Sequence, residues 1–160
     1  MRVVPRQRLN YRINLTVIVI ALAVTALDAL SKAWARHALA SRSMHLGAFA
    51  WLRLQYNSGV SFSINSSGPV VTTVLTFAIA AVVVVVGLNA AAGWAAAGFG
   101  LLIGGGVANL VDRLAATPHQ VTDFVALGSF PVFNLADASI TAGFIVLVVT
   151  ALRGRRLLGR

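Results

Sequence analysis

The sequence predicts an all-α membrane protein with four transmembrane helices and a small extracytoplasmic segment of strand and helix. The first observation is the composition: 58% of the 160 residues are apolar, 11% are charged, and the mean hydropathy is +0.84. A soluble domain is about 45–50% apolar and about 25% charged. The second is a net charge of +9 that is concentrated at the two ends of the chain. The third is the stretch 54–111, which contains no charged residue.

Four apolar segments are long enough to cross a bilayer, since about 20 helical residues span about 30 Å of hydrocarbon. They lie within a single membrane domain of residues 1–160, at about 13–34, 70–88, 94–114 and 134–152. On the third segment, Gly100, Gly104 and Ala108 are spaced by four residues. Such a stripe of small residues lets neighbouring helices approach closely.

The basic residues indicate how these segments are oriented. Eight of the thirteen flank the apolar body, in the tails 1–12 and 153–160. Because basic flanks stay in the cytoplasm, both ends are expected there, which agrees with an even number of spans. The basic residues are not on a folded face, so nucleic acid binding is not predicted. The N-terminal segment could instead be a cleaved signal peptide, which would leave three spans and place the C-terminus outside.

Two longer segments, 35–69 and 115–133, are then extracytoplasmic. Residues 51–56 alternate between apolar and polar, which predicts a short strand. The segment 115–133 contains Pro118 and Pro131 and is expected to be a loop. The absence of cysteine excludes a disulfide scaffold and a thiolate metal site. No zinc site is predicted either, because the three histidines are scattered and glutamate is lacking.

All four acidic residues are aspartates, and each lies in or beside a predicted span. With the predicted orientation, these acids fall at the outer membrane face together with two basic residues and three asparagines: Asp28, Asp112, Asp123 and Asp137, Lys32 and Arg113, Asn57, Asn109 and Asn134. A charged side chain at the bilayer centre costs about 2.5–3.5 kcal/mol on insertion scales. Such residues are therefore expected to be functional or paired.

Each of these residues also has a purely structural interpretation. Asp28 and Lys32 are four residues apart and would form a salt bridge on one helix face. Asp112 would pair with a neighbouring cation such as Arg113, which could itself snorkel to the headgroups. Asn134 would cap the last helix, and the helix dipole would favour Asp137 in its first turn. Asp123 would be a solvated loop acid.

The functional interpretation is that two carboxylates share a proton and activate water. One takes a proton from the water while the other donates a proton to the carbonyl oxygen of the scissile bond. The chemistry alone leaves open which two of the four aspartates form that pair. A dyad of Lys32 with one of the serines at positions 58, 61 and 63 is a further alternative.

Five short blocks carry a family resemblance that extends from about residue 20 to 150. They are Asp28-Ala-Leu-Ser-Lys32, Asn57-Ser-Gly-Val-Ser-Phe-Ser63, Gly104-Gly-Gly-Val-Ala-Asn-Leu-Val-Asp-Arg113, Val121-Thr-Asp-Phe124 and Phe133-Asn-Leu-Ala-Asp-Ala-Ser-Ile140. In this order and with this topology, the sequence resembles the lipoprotein signal peptidases (signal peptidase II), four-span aspartyl proteases of the bacterial inner membrane. One departure is Ala108, where the family usually has glycine.

The resemblance implies a catalytic dyad of Asp123 and Asp137, and a mainly structural role for Asp112. It implies that six further residues shape the site and hold substrate: Asp28, Lys32, Asn57, Asn109, Arg113 and Asn134. The implied substrate is a prolipoprotein whose cysteine carries diacylglycerol, cleaved just before that cysteine at the outer membrane boundary. The segment 35–69 would form a cradle or lid. Membrane lipids are the other expected partners, no metal or organic cofactor is implied, and a monomer is expected.

Two other functions remain open on the residues alone. A small proton- or ion-coupled transporter also uses intramembrane acids, but it should place polar groups near the midplane and on both faces. A non-catalytic membrane assembly factor would tolerate replacement of both Asp123 and Asp137 by asparagine.

Overall fold

The computed structural model describes residues 13–58, 68–115 and 120–159. The predicted N-terminal basic tail, Ser61, Ser63 and Pro118 lie outside these residues. The described chain forms four helices and three strands, numbered here in chain order: α1 (Leu15–Ala38), β1 (Met44–His45), β2 (Ala50–Asn57), α2 (Gly68–Gly87), α3 (Trp94–Ala115), β3 (Val121–Leu127) and α4 (Leu135–Leu152).

Three of the helices, α1, α3 and α4, are long and apolar enough to cross a membrane. In α2 the apolar stretch that the structure describes fully is shorter, residues Phe77–Gly87. The prediction of a mostly helical membrane protein is therefore confirmed. Helix α1 continues to Ala38, about one turn beyond the span predicted at about 13–34.

Helix α3 is central and packs against the other three helices. Its small residues permit this close packing. A Cβ atom added to Gly100 would lie 2.7 Å from the Cβ of Ile20, and one added to Gly104 would lie 2.7 Å from the Cβ of Val24. The small-residue stripe thus faces α1, as its spacing predicts.

Two adjacent glycines of α3 offer a matched test of this packing. A Cβ added to Gly105 would lie 2.5 Å from the carbonyl oxygen of Ala136 in α4, whereas one added to Gly106 would meet nothing closer than Ala80, at 4.0 Å. Gly105→Ala is expected to destabilise the protein by roughly 1–3 kcal/mol through overpacking. Gly106→Ala should be neutral or stabilising, since alanine favours helix by roughly 0.5–1 kcal/mol. Thermal unfolding in detergent checks this, and equal melting temperatures for the two variants would contradict it.

The three strands form one antiparallel sheet in the order β1-β2-β3, at the α1 C-terminal end of the bundle. Strand β2 confirms the strand predicted at 51–56. The loop expected over 115–133 is wrong, because Val121–Leu127 forms β3 and pairs with β2. The two prolines of the segment lie outside this strand, and the strand itself is rich in β-branched and aromatic residues, which favour β structure. Phe124 of this strand packs with Ala35 of α1 and with Leu39, which follows α1, in a small core that anchors the sheet to the helices.

Candidate active site

A cluster of polar side chains lies where α1, α3, α4 and the sheet meet. All eight side chains singled out by the resemblance take part in its hydrogen bonds, ion pairs or electrostatic interactions: Asp28, Lys32, Asn57, Asn109, Arg113, Asp123, Asn134 and Asp137. They come from five elements that are far apart in sequence. The predicted gathering of the acids at one end of the helices is therefore present in the folded chain.

Asp123 of β3 is buried, with 1% of its surface exposed. Its Oδ1 accepts a hydrogen bond of 2.7 Å from the side-chain amide of Asn134, and its Oδ2 accepts one of 3.0 Å from Asn57. The backbone of Phe133 pairs with Val125 of β3 just before the chain enters α4. That pairing brings Asn134 beside Asp123. Asp123 is thus not a solvated loop acid.

Asp137 lies in the first turn of α4 and completes a capping box with Asn134. The Oδ1 of Asn134 accepts from the Asp137 N–H at 2.9 Å, and the Oδ2 of Asp137 accepts from the Asn134 N–H at 3.2 Å. The predicted capping role of Asn134 is confirmed. The cap leaves Oδ1 of Asp137 directed into the cluster, where it accepts a 2.8 Å hydrogen bond from the side-chain amide of Asn109.

Two asparagine amides connect the two acids. Asn134 donates through Nδ2 to Asp123 and also to Oδ1 of Asn109, the latter at 3.1 Å. Asn109 in turn donates to Asp137. The carboxylates of Asp123 and Asp137 are therefore held in one network by neutral side chains, and neither of these contacts neutralises an acid. The network thus holds the two carboxyl groups in fixed positions relative to each other.

The ammonium group of Lys32 forms ion pairs with the other two aspartates. The buried Nζ of Lys32 lies 2.7 Å from Asp28 and 3.3 Å from Asp112, and it donates to Asn109 at 3.0 Å. The predicted salt bridge between Asp28 and Lys32 is confirmed. Asp28 also accepts the backbone N–H of Ala136 at 2.8 Å, which ties α1 to the start of α4. Since these groups occupy the ammonium of Lys32, a role as the base of a nearby serine is disfavoured.

Asp112 links α1 to the sheet. Its Oδ2 accepts the backbone N–H of Thr122 at 2.9 Å, and its Oδ1 lies 3.7 Å from Arg36. Arg36 also donates to the hydroxyl of Thr122 at 2.9 Å. Sequence reasoning missed both Arg36 and Thr122, although Arg36 is one helical turn after Lys32 and Thr122 adjoins Asp123. Arg113 is 8% exposed and interacts electrostatically with Asp123, Asp137 and Asp112.

Burial raises the pKa of Asp123 from its ordinary 3.8 to about 6. The negative charge of Asp137 contributes to this rise, while the hydrogen bonds from Asn57 and Asn134 and the charge of Lys32 oppose it. Desolvation of the carboxylate is the largest of these effects. Asp123 therefore holds its proton to a higher pH than an ordinary aspartate does.

This shift predicts a pH-dependent stability. A carboxyl group with a raised pKa in the folded state favours folding at low pH, and its contribution is lost as the pH rises from about 4 to about 6. Asp123→Asn removes this titration. The melting temperature of the variant minus that of the wild type should therefore increase over that pH range, by the equivalent of no more than about 3 kcal/mol. A difference that stays constant with pH would contradict the assignment.

The chain is similar in sequence to proteins of a known family. A family model described as signal peptidase (SPase) II matches residues 20–153. The chain is 36% identical to a lipoprotein signal peptidase of Rhodococcus jostii (strain RHA1), over 94% of this chain and 79% of that protein. It is 34% identical to a lipoprotein signal peptidase of Mycobacterium leprae (strain Br4923), over 84% of this chain and 70% of that protein.

Solved structures show the same fold. A bacterial membrane enzyme determined by the in meso method matches with a TM-score of 0.74 and 26% identity, over 86% of this chain and 88% of that chain. A second such structure matches with the same TM-score and identity over 92% of its own chain. Together with the family match over most of the sequence, these relatives show that the chain belongs to the signal peptidase II family of lipoprotein signal peptidases, which are membrane-embedded proteases.

Proposed function

We propose that this protein is an intramembrane aspartyl endopeptidase in which Asp123 and Asp137 are the catalytic pair. It removes the signal peptide from diacylglyceryl-modified prolipoproteins by cleaving just before the lipidated cysteine. The observation that carries the assignment is the network in which Asn109 and Asn134 join these two carboxylates. The other two aspartates, Asp28 and Asp112, are ion-paired with Lys32.

In the proposed reaction, the Asp137 carboxylate takes a proton from water as the water oxygen adds to the carbonyl carbon of the scissile bond. Asp123, whose pKa is raised to about 6 mainly by burial, reacts in its protonated form and donates that proton to the carbonyl oxygen. Asp137 then gives its proton to the cysteine nitrogen while Asp123 takes one back from a hydroxyl of the tetrahedral diol, and the C–N bond breaks to leave a carboxylic acid and an amine. Arg113 and Lys32 offset the negative charge of the site.

The proposed membrane arrangement has four spans, with α2 as the fourth. The described groups of the polar cluster gather at one end of the helices, while the basic tail after α4 lies at the other end. By the positive-inside rule, both termini are cytoplasmic and the site is extracytoplasmic. Helix α1 is retained rather than cleaved in this proposal, because Asp28 and Lys32 belong to the cluster. Residues 1–160 act as one domain and as a monomer.

This arrangement suits a lipidated substrate. Acyl chains attached to the substrate cysteine can stay in the bilayer while the adjacent peptide bond meets Asp123 and Asp137 at the membrane boundary. Strands β1 and β2, which belong to the segment 35–69, form part of the proposed cradle above the site. A one-sided cluster also favours a protease over an ion-coupled transporter, which needs polar groups along a path across the membrane.

The substrate proposal is tested with purified protein and two forms of one prolipoprotein, with and without diacylglycerol on the cysteine. Mass spectrometry of the products should show cleavage of the lipidated form directly before the cysteine. The unmodified form should be cleaved far more slowly. Cleavage at another bond, or equal rates for both forms, would contradict the proposed specificity.

A further inference from the structure

A groove lies at the end of the bundle opposite the polar cluster, between the start of α3 and the end of α4. Its volume is about 200 Å³. Its lining is mainly apolar and also contains one threonine and two arginines: Trp94, Ile145, Val146, Val149, Thr150, Arg153 and Arg155. None of the steps proposed for peptide cleavage uses this groove.

The backbone that carries the two arginines is ordered. Helix α4 ends in a Schellman motif, in which the Gly154 N–H donates to Ala151 at 2.9 Å and the Arg155 N–H donates to Thr150 at 3.1 Å. Gly154 has the positive φ of +66° that this motif requires. The chain that follows is then tied to the turn between α2 and α3, because the Ala91 N–H donates to Leu157 at 2.9 Å. Arg153 and Arg155 are thus presented from a fixed scaffold.

Among the described residues, no acidic side chain lines the groove to pair with these two arginines. The chain contains four acidic side chains, and all of them contribute to the polar cluster at the other end of the bundle. Arg153 and Arg155 are both exposed. Trp94 is 64% exposed beside them, and tryptophan prefers the level of the lipid headgroups. Two exposed arginines beside an apolar lining, at the level of the lipid headgroups, complement a molecule with an anionic head and an apolar tail.

We propose that this groove binds an anionic phospholipid of the leaflet that faces the basic tail. Arg153 and Arg155 would hold the phosphate-bearing headgroup, and an acyl chain would lie along Ile145, Val146 and Val149. A free phosphate ion would satisfy the arginines but would leave the apolar lining uncovered. Basic pockets between transmembrane helices are a general way to recognise anionic headgroups.

The test measures Trp94 fluorescence in nanodiscs that contain phosphatidylglycerol or phosphatidylcholine with brominated acyl chains, which quench nearby tryptophan. Because the chain has three tryptophans, the Trp94→Phe variant supplies the background signal. In the wild type, brominated phosphatidylglycerol should quench Trp94 at a lower mole fraction than brominated phosphatidylcholine. The Arg153→Gln/Arg155→Gln double variant should need a roughly tenfold higher fraction of phosphatidylglycerol.

Arg156→Gln is the matched control, because Arg156 is exposed and basic but does not line the groove. It should behave like the wild type. Equal quenching by the two lipids in the wild type would overturn the proposal without any need for a variant. If Arg156→Gln raised the required fraction of phosphatidylglycerol as much as the double variant does, the proposal would be overturned as well. The lipid preference would then reflect only a general attraction to basic residues. Relief of quenching by excess inorganic phosphate would assign the arginines to a free anion instead.

Discussion

Asp123→Asn and Asp137→Asn are each expected to lower the cleavage rate of a lipidated prolipoprotein by roughly 10²–10⁴-fold. Asparagine keeps the size of the side chain but can neither take a proton from water nor give one to the carbonyl oxygen. Asp137→Asn removes the proposed base, and Asp123→Asn removes the proposed acid. The rates are compared by mass spectrometry under single-turnover conditions, where product release does not contribute.

The matched control for this pair is Asp112→Asn. Asp112 is also an aspartate of the cluster, but it contacts Lys32, Arg36 and the backbone of Thr122. Its replacement should cost stability while leaving a much larger share of the cleavage rate than either catalytic variant. Wild-type rates in Asp123→Asn or Asp137→Asn would show that the chosen acids are wrong and would reopen the serine–lysine alternative.

Lys32→Met is expected to cause the largest loss of stability among single substitutions in the cluster. Lys32 is fully buried and lies within 3.3 Å of two carboxylates, Asp28 and Asp112. Removing one partner of a buried ion pair leaves an uncompensated charge, which costs about 3–5 kcal/mol. For a chain of this size, that corresponds to a fall of roughly 10 °C in the melting temperature measured in detergent.

Two further variants separate charge from packing. Arg36→Gln removes another cation that pairs with Asp112. Because the Arg36 side chain is 43% exposed and lies 3.7 Å from Asp112, this substitution should lower the stability by about 1 kcal/mol or less. Asp28→Asn added to Lys32→Met removes the negative charge of Asp28, which Lys32→Met alone leaves without its lysine partner. The double variant should therefore be more stable than Lys32→Met. If the second substitution lowered stability further, the loss in Lys32→Met would come from packing rather than from the unpaired aspartate.

The sequence made the membrane helices and the polar cluster predictable because both depend on simple patterns. Long uncharged stretches define the helices, and the basic tails fix which ends lie together. Asp28, Asp112 and Asp137 could then be placed at one membrane face from their positions in the spans alone. Asp123 could be placed there only as part of an outer segment, and its selection as a candidate catalytic acid required the family resemblance.

Other features were not predictable because they depend on tertiary contacts. Strand β3 exists because β2 pairs with it and α1 covers it, and no local pattern in 115–133 outweighed its two prolines. The roles of Arg36 and Thr122 follow from the distance between α1 and that unpredicted strand. The return of the C-terminal tail to the α2–α3 turn depends on single backbone hydrogen bonds, which leave no signature in composition or periodicity.

The central claim is that Asp123 and Asp137 act as one catalytic unit, and the double variant Asp123→Asn/Asp137→Asn tests it most directly. Its single-turnover rate on the lipidated prolipoprotein is compared with the wild type and with both single variants, each shown to be folded. If the pair acts as a unit, either single substitution already abolishes the shared proton transfer, and the double variant should be no slower than the singles. Losses that multiply in the double variant, or substantial activity in either single variant, would contradict the account.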